Sequence, residues 1–388
     1  MKKYIFLFVA LLAGMISCSK SDEPSGGEKT EPTKRSALIY AVNGNNLSSN
    51  MALNIRQIQE AMSGLPKGKY ELYLYQAIAK EKAGLCKIVS GKDARLDTLK
   101  VYDRSTFATD PVRIKEIMND YKSLSAVDDR ILFLWGHGMA WTPYFSDHGA
   151  TRASDEAIVD MPMITSFGGD NNNSDWADIH ELKEAIPSGL FSTIWFDCCY
   201  MSNIETVYEL RKKCNTMIAY PTEIAANGLP YHKILPKIFA DKPNYFSAAD
   251  ALYEDYNMSS ICVTVAVMDM SKIEDVAAVA KKIYASGENR PAVEGLQDYS
   301  RARSARYYDF GQFARETAEL NNASELVKDF NRAMDNFVVY SHATALDFNR
   351  RPIKKENFSG VSTHYYKGLD TKEENYYRGL DWYKAVYE

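Results

Sequence analysis

Ile131-Leu132-Phe133-Leu134-Trp135-Gly136-His137-Gly138 and Ile194-Trp195-Phe196-Asp197-Cys198-Cys199-Tyr200-Met201 share one design. Each is a short, bulky, partly β-branched run that breaks off into reactive side chains. Such runs fit strands buried on both faces of a parallel sheet. Open α/β sheets bind ligands beyond the carboxyl ends of their strands, so these two run ends are where an imidazole and a thiol would act as a pair. A lone histidine or cysteine at a strand end is more often structural; the complementary pairing carries the weight. Side chains alternate along a strand, so Asp197 and Cys199 share a face and Cys198 takes the other. Parity therefore nominates Cys199 or Cys198, not both. If Cys199 faces the cleft, Asp197 stands roughly 6–7 Å from it along the strand, and Cys198 is a small core residue. Gly138 would let a substrate approach closely, and the backbone N–H groups of Gly138 and Cys199 are candidates for an oxyanion hole. A helix beginning near Asn203 would turn its N-terminal dipole toward the thiol.

Outward from these runs, strands and helices alternate. Strands are predicted at 37–42, 70–75, 98–102, 217–220 and 261–268. Helices are predicted at 51–62, 111–124, 179–185, 203–213, 229–239, 248–256 and 271–286. Asp110 followed by Pro111 supplies a cap and a first helical residue. Residues 139–173 carry no regular period. This order implies an α/β fold with a mostly parallel sheet flanked by helices. The tract 296–388 adds helices at 311–320 and 323–336 and an aromatic-rich tail. It is expected to pack as a C-terminal helical and aromatic subdomain on a main domain of residues 36–295.

The amino terminus reads as an export signal over residues 1–17. Lys2-Lys3 precede an apolar run, and Ile16-Ser17-Cys18 has the form of a bacterial lipoprotein cleavage site, which makes Cys18 the expected lipidation site. Residues 18–35 are polar and rich in Ser, Glu, Gly, Pro and Lys, the composition of a flexible tether. A lipid-anchored, exported chain follows as the expectation; the acidic Ser21-Asp22-Glu23 resembles the surface-export signal of bacterial lipoproteins, which implies the outer-membrane surface, and a solvated linker explains the same charges equally well. The net charge of −5, with both signs interspersed, argues against a nucleic-acid partner; a monomer is expected. Beyond Cys18 the cysteines are Cys86, Cys198, Cys199, Cys214 and Cys262. An odd number without framework spacing directs attention to a reactive thiol.

Phe133-Leu134-Trp135-Gly136-His137-Gly138, together with the Asp197-Cys198-Cys199-Tyr200-Met201 motif and its Glu-containing continuation through Leu210, resembles the clostripain family of cysteine peptidases. Tyr40-Ala41-Val42-Asn43-Gly44-Asn45-Asn46-Leu47 and Glu223-Ile224-Ala225-Ala226-Asn227-Gly228-Leu229-Pro230-Tyr231 add to the match. The resemblance implies a caspase- and gingipain-like fold, with His137 as catalytic histidine and Cys199 as nucleophile. Cys198 falls where the family has alanine. Asp197 falls on the aspartate associated with the S1 pocket, and Glu223 is a weaker S1 candidate. The implied reaction is endopeptidase cleavage of protein or peptide after a basic residue, Arg preferred over Lys. Leu229-Pro230 departs from the family's Gly and Trp, which puts the S1 wall in question. Relatives are activated by self-cleavage after a basic residue between the two motifs, and here Arg152 is the candidate. Some relatives need calcium. Asp170, Asn172, Ser174, Asp178 and Glu181 have the spacing of an oxygen-ligand loop, but Asp175 stands where such a loop needs glycine, and an Asn/Asp-rich turn explains the same residues. No cofactor is otherwise expected. Two alternatives stay open: a silent surface-binding lipoprotein of the same fold, and a peptidase of another P1 preference.

Overall fold

The computed structural model describes residues 34–141, 166–300, 306–364 and 371–388. In chain order the elements are β1 (Arg35–Ala41), α1 (Ser48–Ser63), β2 (Tyr70–Ala79), β3 (Lys82–Val89), β4 (Asp97–Asp103), α2 (Pro111–Leu124), β5 (Arg130–Trp135) and β6 (His137–Gly138). Next come β7 (Phe167–Gly169), the single turn α3 (Asp170–Asn173), β8 (Asp175–Ala177), α4 (Ile179–Ala185), β9 (Thr193–Asp197), α5 (Ile204–Glu209), β10 (Thr216–Ala219), α6 (Tyr231–Ile238) and α7 (Tyr245–Met258). The rest are β11 (Thr264–Asp269), α8 (Ile273–Ala285), β12 (Tyr307–Asp309), α9 (Phe310–Leu320), α10 (Glu325–Phe337), β13 (Val338–Ala343), β14 (Ser362–His364), α11 (Thr371–Gly379) and α12 (Asp381–Tyr387).

Nine strands form one sheet in the order β13-β11-β10-β9-β5-β1-β2-β3-β4. Its centre, β10-β9-β5-β1-β2, is parallel. Antiparallel pairs extend it at both sides, β11 and β13 at one and β3 and β4 at the other. The bulky runs explain the two-sided burial. Leu132, Leu134, Ile194 and Phe196 point into one core, and Ile131, Phe133 and Trp195 point into the other. The first core is closed by α2, α4, α5, α8, α9, α10 and α12, the second by α1, α6 and α7. Register aligns the strand ends: Ala41 pairs with Trp135, and Trp135 with Asp197. The loops after β1, β5 and β9 therefore leave the sheet at one level. Asp110 caps α2 as predicted, its Oδ1 accepting from the Val112 N–H at 2.8 Å.

Several elements differ from the sequence expectation. The strand at 70–75 continues to Ala79 and folds back as β3, with Gly84 inside the strand because a Cβ there would lie 3.2 Å from Ile78 Cγ2. The helix predicted over 203–213 stops at Glu209, where the Arg211 guanidinium donates to the Tyr208 carbonyl at 2.8 Å. Within the tract 296–388, β13 is the edge strand of the main sheet. The tract also clamps α5 from outside. Asp381 binds Lys183 and Arg211, each at 2.8 Å, and Trp382 packs edge-on against Tyr208 and Phe310.

Candidate active site

Beyond β5 the chain turns at Gly136, whose φ of +155° suits glycine, and then runs as β6 against β7. Gly138 lies hard against the end of β9. A Cβ on it would come 2.4 Å from the Cys199 carbonyl oxygen and 3.0 Å from Cys198 Sγ. Glycine is what lets the histidine-bearing strand approach the thiol-bearing turn. Met139 N–H donates to the Ser166 carbonyl at 3.1 Å in this ladder, so by strand alternation the Gly138 N–H points away from β7. After β9, Tyr200 adopts a left-handed φ of +62° and its N–H donates to the Thr222 carbonyl at 2.9 Å. This reversal leaves Cys199 half-buried at the sheet edge, its Sγ 3.4 Å from the Ile224 N–H nitrogen. Cys198 is buried in the opposite core, and burial pushes its thiol well up, with the neighbouring Cys199 and Asp197 adding to the shift.

One cleft of about 480 Å³ gathers His137, Gly138, Cys199, Asp197 and Glu223, together with Asn46, Trp176, Ile224 and Phe348. His137 Nε2 is 2.8 Å from Asn46 Oδ1. That oxygen is also 3.3 Å from Asn173 Nδ2; in the tautomer in which it accepts from His137 as well, the imidazole proton sits on Nε2. Nδ1 is then the basic nitrogen. Trp176 leans over the ring at a centroid distance of 5.9 Å and is tethered by its Nε1–H to the Asn173 carbonyl at 3.0 Å. Burial lowers the His137 pKa below the ordinary value, favouring the neutral ring.

Asp197 forms a buried wall of the same cleft. Its Oδ2 accepts from the Tyr231 hydroxyl at 2.9 Å and from the Leu229 N–H at 3.2 Å, while buried Oδ1 has no hydrogen-bond partner among the described residues. Burial pushes the carboxyl up to about 7, against the two hydrogen bonds that favour the charged form. The Leu229-Pro230 departure in the sequence thus supplies the loop whose Leu229 N–H grips this carboxylate. Gly228, at φ +67°, makes room: a Cβ there would lie 3.0 Å from Asp197 Oδ2 and 3.2 Å from Trp135 Nε1.

Four of the five candidate calcium ligands have partners within the fold. Asp170 is buried and bound to the Arg104 guanidinium at 2.5 Å and the Ala108 N–H at 2.8 Å. Asp178 and Glu181 form the capping box of α4, and the Ser174 hydroxyl donates to the Asn171 carbonyl. Asn172 sits in a run of three left-handed residues, Asn171 to Asn173. Among the described residues no cluster of three or more His, Cys, Asp or Glu side chains is placed to hold a metal. Nor is any described helix long and apolar enough to cross a membrane. Arg152 and Cys18 lie outside the described residues. Sequence reasoning missed Asn46, Asn173, Trp176 and Phe348. Asn46 belongs to the 40–47 motif, whose position after a strand could have nominated it; nothing local marked Phe348.

A thiol and an imidazole brought to one cleft at the carboxyl edge of a parallel sheet define a cysteine hydrolase. The profile of the clostripain family matches residues 39–387, and the chain belongs to that family; it is a cysteine-type peptidase. Its fold is similar to that of a secreted C11 cysteine protease from Bacteroides thetaiotaomicron bound to an irreversible peptide inhibitor. That likeness has a TM-score of 0.76 at 23% identity and covers 91% of this chain and 99% of that one. An inactive zymogen C11 protease from Parabacteroides distasonis is equally similar, with a TM-score of 0.76 at 24% identity over 92% of this chain and 99% of that one. None of the curated proteins matches the chain.

Proposed function

We propose that the chain is an endopeptidase that cuts protein or peptide substrates after basic residues, Arg in preference to Lys. The observation that carries this reading is Asp197 Oδ1, a buried carboxyl oxygen without a partner among the described residues, in the residue that walls the cleft holding Cys199. A guanidinium in the cleft would satisfy that oxygen by a charge-assisted hydrogen bond and draw the carboxyl pKa down from about 7. The planar fork of Arg offers more donors than a Lys ammonium, and Glu223 on the same cleft adds negative charge.

In the proposed mechanism His137 Nδ1 takes the Cys199 thiol proton as Sγ attacks the scissile carbonyl carbon. The oxyanion is held by the Gly138 and Cys199 N–H groups. Collapse breaks the C–N bond, His137 delivers its proton to the departing amine, and an acyl-thioester remains. Water, giving a proton to His137, attacks the thioester, and the thiol is restored as the acid leaves. Asn46 holds the ring in the tautomer that these transfers need. Self-cleavage after Arg152, export and lipidation at Cys18 belong to the same proposal. The similar structures include a secreted protease and an inactive zymogen, which supports export and processing.

The test is hydrolysis of fluorogenic peptides differing only at P1 by the chain from Lys34 onward, which keeps all of β1, before and after brief trypsin treatment, with Cys199→Ala as the blank. Turnover confined to Arg and Lys and absent from the variant is the expected result. Turnover after Asn or another neutral residue would refute the basic-residue reading.

A further inference from the structure

The strand order lays the cleft out as a line along one edge of the sheet. Asn46 follows β1, His137 follows β5, Cys199 follows β9, and Glu223 to Gly228 follow β10. β10 and β13 are each antiparallel to β11, so they run in the same direction. The turn after β13 therefore opens on this same edge, on the far side of Cys199 from His137. It carries Phe348, which lines the cleft.

That turn is firmly built. Buried Asp347 accepts from the Asn349 N–H at 2.8 Å and the Arg351 N–H at 2.9 Å, and its Oδ2 takes the Arg351 Nε–H at 2.8 Å. Arg351 reaches on to Asp298 at 2.6 Å and to the Ser300 carbonyl at 2.8 Å. The Cys262 thiol donates to the Asp347 carbonyl at 3.1 Å, and Arg350 completes the reversal at φ +60°. Phe348 itself is half-buried and, unlike Ile224 and Ala225, belongs to neither hydrophobic core of the described residues. An aromatic ring on a fixed backbone, turned into a cleft instead of a core, is apolar surface available for a ligand to cover.

We propose that Phe348 is a specificity-determining residue, the wall of a subsite for a bulky apolar side chain at P2 or P3 of the substrate. The inference rests on the peptidase mechanism. The leaving amine receives its proton from His137, so the part of the substrate after the scissile bond lies toward that residue. The acyl part must then extend the other way, past Cys199 and the 223–226 loop to Phe348. A peptide with an apolar residue shortly before its basic P1 residue would lay that side chain on the ring. One hydrophobic contact of this kind discriminates by roughly ten- to two-hundredfold in kcat/KM.

The experiment uses fluorogenic tetrapeptides with P1 fixed at the residue the wild-type chain turns over fastest, and P2 or P3 varied among Gly, Ser, Glu, Leu and Phe. The wild-type chain is expected to prefer Leu or Phe over Gly by about tenfold or more at one of the two positions. Phe348→Ala should lose most of that ratio, Phe348→Leu should retain much of it, and Phe348→Lys should shift preference toward Glu. Iodoacetamide labelling of Cys199 at the wild-type rate certifies that each variant keeps its folded site. A wild-type chain indifferent to apolar P2 and P3 residues, or a ratio that survives in Phe348→Ala, would overturn the proposal alone. A wild-type chain inert toward every P1 residue would overturn the peptidase mechanism, and the subsite with it.

Discussion

Asp197→Asn should make the protein more stable and a poorer enzyme at the same time. The carboxyl is buried and its pKa stands at about 7 in the folded chain, against an ordinary aspartate value near 3.9 in the unfolded chain. Below about pH 4 both states hold the proton, and the group contributes nothing. Between about pH 4 and 7 the folded state keeps a proton that the unfolded state has released. Stability therefore falls as pH rises through this window, and the full loss is reached above pH 7. A shift of about three units corresponds to at most about 4 kcal/mol. Asparagine removes the titration while keeping an acceptor for the Leu229 N–H and the Tyr231 hydroxyl, so at pH 8 the variant should regain much of that energy. With an unfolding entropy of ~2.1 cal/mol/K per residue over ~350 residues, the gain is up to about 6 °C in Tm. The assay is a melting series from pH 4 to pH 8 on both proteins. Glu205, also buried and pushed up to about 7, gives both proteins a common slope, and the difference between the two curves isolates Asp197. Equal curves, or a variant less stable at pH 8, would refute the reasoning. Loss of Arg turnover in the more stable variant would tie the stored energy to substrate binding.

Three further outcomes are expected. Asn46→Ala removes the 2.8 Å partner of His137 Nε2 and should lower kcat about ten- to hundredfold with a smaller change in KM, as loss of a hydrogen bond to a group that becomes charged implies; Asn46→Asp, which keeps an acceptor, should recover part of the loss in steady-state kinetics. Gly138→Ala drives a methyl to 2.4 Å from the Cys199 carbonyl oxygen and should cost about 1–3 kcal/mol by calorimetry while slowing iodoacetamide labelling of Cys199. Because Asp170, Asp178 and Glu181 already serve Arg104 and the α4 cap, replacing EDTA by millimolar calcium should leave Tm unchanged in a thermal-shift assay, and a clear rise would contradict that assignment.

The centre of the fold was legible because both faces of β5 and β9 are buried, so their sequences read as unbroken apolar runs ending in polar residues. Alternation along β9 likewise separates Cys198 from the face shared by Asp197 and Cys199. What escaped the sequence is set by tertiary contact. β3 was hidden by Gly84, whose missing side chain accommodates Ile78 across the hairpin. The short C-terminal helices α11 and α12 lack a long periodic signal, and α12 is held by Asp381 and Trp382 reaching residues far back in the chain. Asp170 offered oxygen-ligand spacing, but its partner Arg104 lies 66 positions away, and no local pattern announces that pair. Phe348 reaches the cleft only because β13 joins the sheet beyond β10 and β11.

The most direct test of the account is covalent capture of the nucleophile. A peptidyl-arginine chloromethyl ketone is added to the chain from Lys34 onward, and the adduct is mapped by peptide mass spectrometry. The account predicts a single adduct on Cys199 that forms far more slowly in His137→Ala and in Asp197→Asn. Labelling of Cys262 instead, or a Cys199 adduct whose rate is indifferent to both substitutions, would contradict it.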